Sequence, residues 1–177
     1  MESRAENAPR WPLLLLPLAF GLDQLSKHWI RERFAMGEEA DLLPGWLSIQ
    51  HSRNAGAFFS LGADLPRTVR GLLFPIVTLL AMGLMFALYR AASPTRRLYR
   101  AGILLLLAGA LGNLVDRVLD GEVVDFLHVH ILDYVHWAIF NLADVWIFLG
   151  LLLVLFAGTD RSAGPDRPSS PLSSEIP

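Results

Sequence analysis

The chain has 177 residues, 53% hydrophobic and 18% charged, with a net charge of −2 and no cysteine. The charged share falls below the roughly one quarter usual in soluble domains. The lack of cysteine excludes disulfide and thiol chemistry, and the net charge says little about partners, with no basic patch that suggests nucleic acid. The length suits one domain. Its apolar residues gather in four blocks, about 11–29, 69–89, 99–117 and 138–158. The expected fold is therefore an all-α membrane protein with four transmembrane helices, forming a single domain over residues 1–160.

In chain order, the first block follows Arg4 and Arg10, and Trp11 to Leu22 resembles the core of a signal peptide. No small-x-small cleavage site follows; Asp23 and Lys27 do, so it reads as an uncleaved first span. Asp23 falls in its outer third, and Lys27, one turn on, can pair with it at i,i+4. The 40-residue connection that follows is too long for a simple turn. Within it, "GWLSIQHSRNAGAFFSL" sets Trp46, Ile49, Phe58 and Phe59 around an Asn-Ala-Gly turn signal. Short strands over about 42–62, lying on the membrane surface, are expected there. Asn54 suits that turn; its amide equally suits an extended peptide bound by strand addition.

The second block holds 19 uncharged residues from Gly71 to Tyr89. They would span about 28 Å, close to the roughly 30 Å hydrocarbon core of a bilayer. A soluble bundle would show polar helix faces instead. Arg90, Arg96, Arg97 and Arg100 come next, with no acid among them, and mark the cytoplasmic side. The third block ends in "GNLVDR", where Asn113, Asp116 and Arg117 share a helix face at i, i+3, i+4. Ala108 and Gly112 form a small-xxx-small pair there, suited to close packing or simply to ordinary small-residue content.

The segment over about 119–137 holds Asp120, Glu122, Asp125 and Asp133 without Lys or Arg, and so belongs outside. Four spans then place both termini in the cytoplasm. His128, His130 and His136 with Asp125 offer a metal reading, but an H-x-H pair is a weak signal and solvated interfacial histidines are favoured. In the fourth block, Val145 to Gly158 alone would reach only about 21 Å. The helix is therefore expected to begin near Phe140, which puts Asp144 about one turn inside the outer boundary. The Ser- and Pro-rich tail, 161–177, is expected to be disordered.

Asp23, Asp116 and Asp144 thus reach a similar depth from three helices. Singly, Asp144 could cap a short helix and Asp116 could pair with Arg117. Together they suggest function, since ionisable residues in spans face the bundle interior. Asp125, among Val123, Val124 and Phe126, can return towards Asp144. Two carboxylates that share a site do not both ionise, which leaves one acid and one base. Such a pair can activate water and protonate an amide leaving group without cysteine, serine or metal. An ion or proton carrier would place its carboxylates near the midplane, often in repeated halves. A structural subunit would not need polar motifs at one depth. The GxGD string of another aspartyl class is absent. A metallopeptidase using Asp125 and the histidines is the remaining enzyme rival.

"DQLSK" (23–27), "NAGAFFS" (54–60), "GNLVDR" (112–117), "VVDF" (123–126) and "FNLAD" (140–144), in this order, closely resemble the lipoprotein signal peptidases, or signal peptidase II. The resemblance covers residue 11 to about 158. It implies that Asp125 and Asp144 are a catalytic dyad, with Asn54, Asn113, Arg117 and Asn141 around substrate and dyad. Asp23 and Asp116 would support the site, as would Lys27 of the first motif. It further implies a β-cradle after the first span, an outer lid between the third and fourth, and neither cofactor nor metal. The implied substrates are diacylglyceryl-modified bacterial prolipoproteins, cut on the amino side of the lipidated cysteine at the outer, periplasmic face of the inner membrane. Membrane lipid and the inhibitor globomycin would be further partners. Ala138 stands after Trp137 where the family often has proline, Phe58 where it often has a small residue, and Ser26 where threonine is frequent. None of these touches the dyad.

Overall fold

The computed structural model describes residues 12–56, 62, 64–131 and 134–158. The expectations placed on Arg4, Arg10, Trp11, Phe58, Phe59, Asp133 and the 161–177 tail lie outside these residues. Five helical or strand segments come from the expected blocks and the first outer connection. They are α1 (Pro12–Arg33), β1 (Glu39–Leu43), β2 (Leu47–Asn54), α2 (Arg67–Ala91) and α3 (Arg97–Leu119). The chain then continues through β3 (Val123–Ile131), β4 (Val135–His136) and α4 (Leu142–Gly158).

Helix α3 is the centre, and α1, α2 and α4 all pack against it. Its buried face includes Ile103, Leu107, Ala108, Gly112, Asn113 and Asp116. Glycine makes this closeness possible. A Cβ on Gly109 would strike the Ala143 carbonyl oxygen of α4, and one on Gly112 would strike the Asp23 carboxylate of α1. The Ala108–Gly112 pair therefore marks real contact, with Ala108 fully buried.

Helix α2 is the opposite case. None of its residues is buried, and Leu72 and Leu80 are 67% and 71% exposed. An aqueous exterior would not favour so continuous an apolar surface. By length and composition, α2 and α3 can each cross a membrane, while α4 is a shorter apolar helix.

The strands form one antiparallel sheet in the order β1-β2-β3-β4. Its first hairpin turns through Pro44 and Gly45; Gly45 has φ +79°, and the Trp46 amide donates to the Leu43 carbonyl at 2.9 Å. Proline followed by a positive-φ glycine is the signature of a type II turn. The expected strands after the first span are thus present. The second outer segment, 119–137, expected as an outer lid, contains a strand that its composition does not announce. Nine of its residues form β3, and Ser52 of β2 faces Asp125 across the ladder. Consecutive burial of Val123, Val124, Asp125 and Phe126 obscures the alternation by which a strand is usually recognised. Ile30, Ile49, Val124 and Phe126 pack together and seat the sheet on the end of α1.

Helix α4 starts at Leu142, two residues after the expected Phe140. Before it, Phe140 pairs with Leu127 of β3 through backbone bonds. Asn141 then caps the helix. Its Oδ1 accepts from the Asp144 amide at 3.1 Å, while Asp144 Oδ2 accepts from the Asn141 amide at 3.2 Å. That reciprocal pair is a capping box, which satisfies two donors the helix start would otherwise leave open.

Candidate active site

Beneath the sheet, four carboxylates lie between α1, α3, β3 and α4. Asp23 and Lys27 stand one turn apart on α1 and form the expected ion pair at 2.9 Å, both fully buried. The same ammonium meets Asp116 of α3 at 2.9 Å and donates to Asn113 Oδ1 at 2.9 Å. Its three N–H bonds thus have three acceptors. Asp116 does not take Arg117 as partner. It pairs instead with Lys27 and, through Oδ1, with Arg31 at 2.9 Å, and its Oδ2 also accepts from the Val124 amide at 3.3 Å. Asp23 Oδ1 accepts from the Ala143 amide at 2.9 Å, which joins α1 to the first turn of α4.

Asp125 and Asp144 have a different company. Asp125 Oδ1 accepts from Asn141 Nδ2 at 2.6 Å and Oδ2 from Asn54 Nδ2 at 3.0 Å. Asp144 Oδ1 accepts from Asn113 Nδ2 at 3.0 Å, and Oδ2 belongs to the capping box. So Asp144 does help to start its helix, with one oxygen, while the other faces the polar cluster. Asp125 is almost fully buried in β3. Burial pushes its carboxyl up to about 7, and repulsion from the Asp144 carboxylate adds to the rise.

Three asparagine amides surround this pair, and each has its oxygen occupied. Asn54 Oδ1 accepts from the Gly56 amide at 2.9 Å, and Asn141 Oδ1 from the Asp144 amide at 3.1 Å. Asn113 Oδ1 accepts from Lys27 at 2.9 Å and from Asn141 Nδ2 at 3.2 Å. An amide whose oxygen is held by donors must present its NH₂ elsewhere. All three NH₂ groups consequently point at Asp125 or Asp144. Two of these locks are backbone groups; Lys27 supplies the third.

Arg117 sits at the outer end of α3, with its guanidinium over the Phe74 ring at 5.6 Å. It donates to the Gly56 carbonyl at 2.9 Å and to the Asn113 carbonyl at 3.3 Å. It therefore holds the segment after Asn54 against α3. Arg70 of α2 donates to the neighbouring Ala55 carbonyl at 3.3 Å.

All nine residues singled out in the sequence, Asp23, Lys27, Asn54, Asn113, Asp116, Arg117, Asp125, Asn141 and Asp144, thus belong to one connected network. His128 and His130 have contacts of their own within the sheet, and the His136 side chain lies outside the described residues. His128 Nδ1 pairs with Glu39 at 3.0 Å, and its ring lies 5.2 Å from that of His130. Three residues apart in a strand, Asp125 and His128 lie on opposite faces, so they do not converge on one ion. Among the described residues, no cluster of three His, Cys, Asp or Glu is placed to hold a metal.

Sequence reasoning missed Arg31, which also reaches Asp120 at 3.1 Å. The signal was present: Asp23, Lys27 and Arg31 repeat at i, i+4, i+8 on one helix stripe. It also missed Gln24, which bridges Asp23 and the Gly112 carbonyl. The Gly56 and Ala55 carbonyls carry no side-chain signal and could not have been found that way.

The family model for signal peptidase (SPase) II matches residues 15–159. The lipoprotein signal peptidase of Syntrophus aciditrophicus is 39% identical over 148 residues, covering 81% of this chain and 91% of that protein. Those of Moorella thermoacetica and Streptococcus pyogenes are 39% and 37% identical over 80% and 81% of this chain, and 88% and 89% of their own lengths. Two solved structures described as bacterial membrane enzymes, obtained by the in meso method at 2.3 and 1.9 Å, superpose with TM-scores of 0.76 and 0.75. They are 29% and 30% identical and cover 88% and 85% of this chain, and 94% of each solved chain. With its helical core, its small sheet and its buried carboxylates, the chain belongs to the signal peptidase II family of membrane aspartyl proteases, the lipoprotein signal peptidases.

Proposed function

We propose that Asp125 and Asp144 are the catalytic dyad of an endopeptidase that removes the signal peptide from diacylglyceryl-modified bacterial prolipoproteins. The cut falls on the amino side of the lipidated cysteine. The observation that carries this reading is the composition of the dyad's surroundings. Among the described residues, its hydrogen-bond donors are asparagine amides and one backbone amide, with no cation in direct contact. Neutral donors orient two carboxylates without cancelling their charge. One proton is therefore retained between them at neutral pH.

The pair shares that proton, and Asp125, raised to about 7, serves as the acid in this scheme. Asp144 acts as the base. It takes a proton from a water molecule whose oxygen attacks the scissile carbonyl carbon. Asp125 gives its proton to the carbonyl oxygen, producing a neutral gem-diol and reversing the two roles. As the C–N bond breaks, Asp144 returns its proton to the departing amine nitrogen. A gem-diol hydroxyl proton passes back to Asp125 and leaves a carboxylic acid. No metal or covalent enzyme intermediate enters. Asn54, Asn113 and Asn141 hold the two carboxylates in place, and Arg117 fixes the segment from Asn54 to Gly56 beside them.

In this reading all four long helices cross the bilayer, with both termini cytoplasmic, and the sheet lies at the outer face of the inner membrane. The arginines of the α2–α3 junction and the acids after α3 support that orientation. The site then sits where an exported, lipid-modified precursor would present its cleavage point. β3 lies in the region the family resemblance assigns to a lid, and would bring Asp125 to the substrate.

The test uses purified full-length protein and a diacylglyceryl-modified prolipoprotein. The released signal peptide should appear without added metal and persist with a chelator. It should be suppressed by globomycin, and it should not appear from the precursor lacking the lipid. Cleavage of the unmodified precursor at equal rate would overturn the substrate assignment.

A further inference from the structure

The pole opposite the carboxylates has a polar feature that peptide hydrolysis leaves unused. No acid occurs between Asp64 and Asp116, while Arg90, Arg96, Arg97 and Arg100 fall close together. They flank the junction where α2 ends at Ala91 and α3 begins at Arg97.

Two of these guanidiniums are fixed by aromatic faces. The Arg100 Cζ lies 4.2 Å from the centre of the Tyr89 ring, and the Arg96 Cζ lies 4.4 Å from that of Tyr99. Arg96 also donates to the Ala157 carbonyl at 2.9 Å, tying the junction to the last turn of α4. Stacking uses the face of a guanidinium and leaves much of its in-plane N–H fork open, in a set orientation. Arg90 and Arg97 are exposed, and neither has an ion-pair partner among the described residues.

Among the described residues, the charge is therefore concentrated, partly pre-oriented and without an acidic partner. Its surroundings are apolar: Leu84, Leu88, Leu98 and Leu155 are 63%, 43%, 58% and 56% exposed. Free phosphate would meet the arginines alone. An amphiphile with an anionic head would use both surfaces, and the head would sit at the level where a cytoplasmic leaflet carries its phosphates.

We propose that the α2–α3 junction is a binding site for the phosphate head group of an anionic phospholipid, with the acyl chains along the exposed leucines beside it. This site is independent of the dyad, so a binding readout tests it whatever the outcome for catalysis.

The experiment is native mass spectrometry of the full-length protein in detergent, titrated with phosphatidylglycerol or with phosphatidylcholine of the same chains. Phosphatidylglycerol should bind preferentially. The variant Arg90→Gln/Arg97→Gln removes two charges that hold no fold contact, and should weaken phosphatidylglycerol binding about 25-fold, at about fivefold per arginine. Arg33→Gln/Arg53→Gln, at the other pole, should leave it unchanged. Excess inorganic phosphate should compete poorly. Equal binding of the two lipids, unaltered binding by the Arg90/Arg97 variant, or full displacement by inorganic phosphate would each overturn the proposal.

Discussion

Two pairs of carboxylates lie within one network and are treated in opposite ways. Asp23 and Asp116 share the Lys27 ammonium, and Asp116 has Arg31 as well. Among the described residues, Asp125 and Asp144 receive amide donors only. A cation beside a buried acid offsets its charge and fixes it as a structural element. A neutral amide orients the acid but leaves the cost of its charge standing, and that cost keeps a proton within reach. On the proposed reading, the same residue type serves as a rivet in the first pair and as a proton carrier in the second. Substitutions that exchange these two environments are the natural tests.

The largest effect is expected from the amide-bound pair. Asp125→Asn and Asp144→Asn should each lower kcat by about 10⁴-fold or more, and the double variant should be no worse than either one, since members of a catalytic unit fail non-additively. Both variants should still fold and insert. The measurement is single-turnover release of signal peptide beside a thermal unfolding curve. An active single variant would remove that aspartate from the dyad.

The cation-bound pair should fail by the other route. Lys27→Met strands Asp23 and should cost about 3–5 kcal/mol of stability, the range for breaking a buried ion pair. Lys27→Met/Asp23→Asn should recover much of that stability, because Asp116 keeps Arg31. It should not recover kcat fully, since Asn113 Oδ1 keeps only the longer of its two donors, Asn141 Nδ2 at 3.2 Å, and its NH₂ is held less firmly towards Asp144. Stability and activity restored together would show that Lys27 serves the fold alone.

How far this contrast was legible in the sequence depended on where its signals lay. The aspartates, asparagines and Lys27 could be named because charge inside an apolar block is conspicuous, and helix boundaries followed from hydrophobic length to within about four residues. The resemblance of five short motifs then supplied the roles. What stayed hidden was pairing across the chain. That Asp116 chooses Lys27 and Arg31 over its neighbour Arg117 depends on how α1 packs against α3. That "VVDFLHVHI" is a strand depends on β2 being there to receive it. The helix start was displaced by a capping box in which Asp144 itself takes part, a local motif that could have been read from Asn141 and Asp144 at N-cap and N3.

A third prediction concerns protons. Asp125 is raised to about 7 from an ordinary 3.8, so between these values the native state binds a proton that the unfolded chain has released. Its contribution to stability is full below about pH 4 and is lost as pH rises through 7. Asp125→Asn should therefore be more stable than the wild type at pH 8, by on the order of 1–3 kcal/mol, with the gap closing towards pH 4. Denaturant unfolding at the two pH values measures it. For the wild type, kcat/KM should describe a bell whose alkaline limb falls near 7, as Asp125 loses the proton it must donate. A rate flat to the alkaline end would remove the shared proton.

Arg117 lies between the two regimes, since its guanidinium serves two carbonyls and an aromatic face. Arg117→Lys keeps the charge but not the planar fork. It should reduce kcat/KM by about tenfold, or about 1.4 kcal/mol, through looser placement of Asn54. Arg117→Ala should do more harm and lower the unfolding temperature too. Full activity in the lysine variant would show that charge alone suffices there.

The smallest effect is expected on the far side of the sheet, where Glu39 gives the comparison its exposed counterpart. The Ser48 hydroxyl, followed by His128, holds the Glu39 carboxyl below the usual range, the reverse of the shift at Asp125. This acid is 41% exposed, and its contact with His128 is screened by solvent. His128→Gln should then change stability by less than about 1 kcal/mol and leave kcat untouched. The ladder from β1 through β2 to β3 survives the substitution, because its bonds are backbone bonds. The same variant decides between a dyad and a metal: if His128 were a ligand, its loss would abolish cleavage, and a chelator would silence the wild type. Assay of both, with zinc added back, separates the cases. Unchanged activity throughout would leave Asp125 facing the asparagines and Asp144 as the group that matters, with the histidines confined to fastening the outer strands.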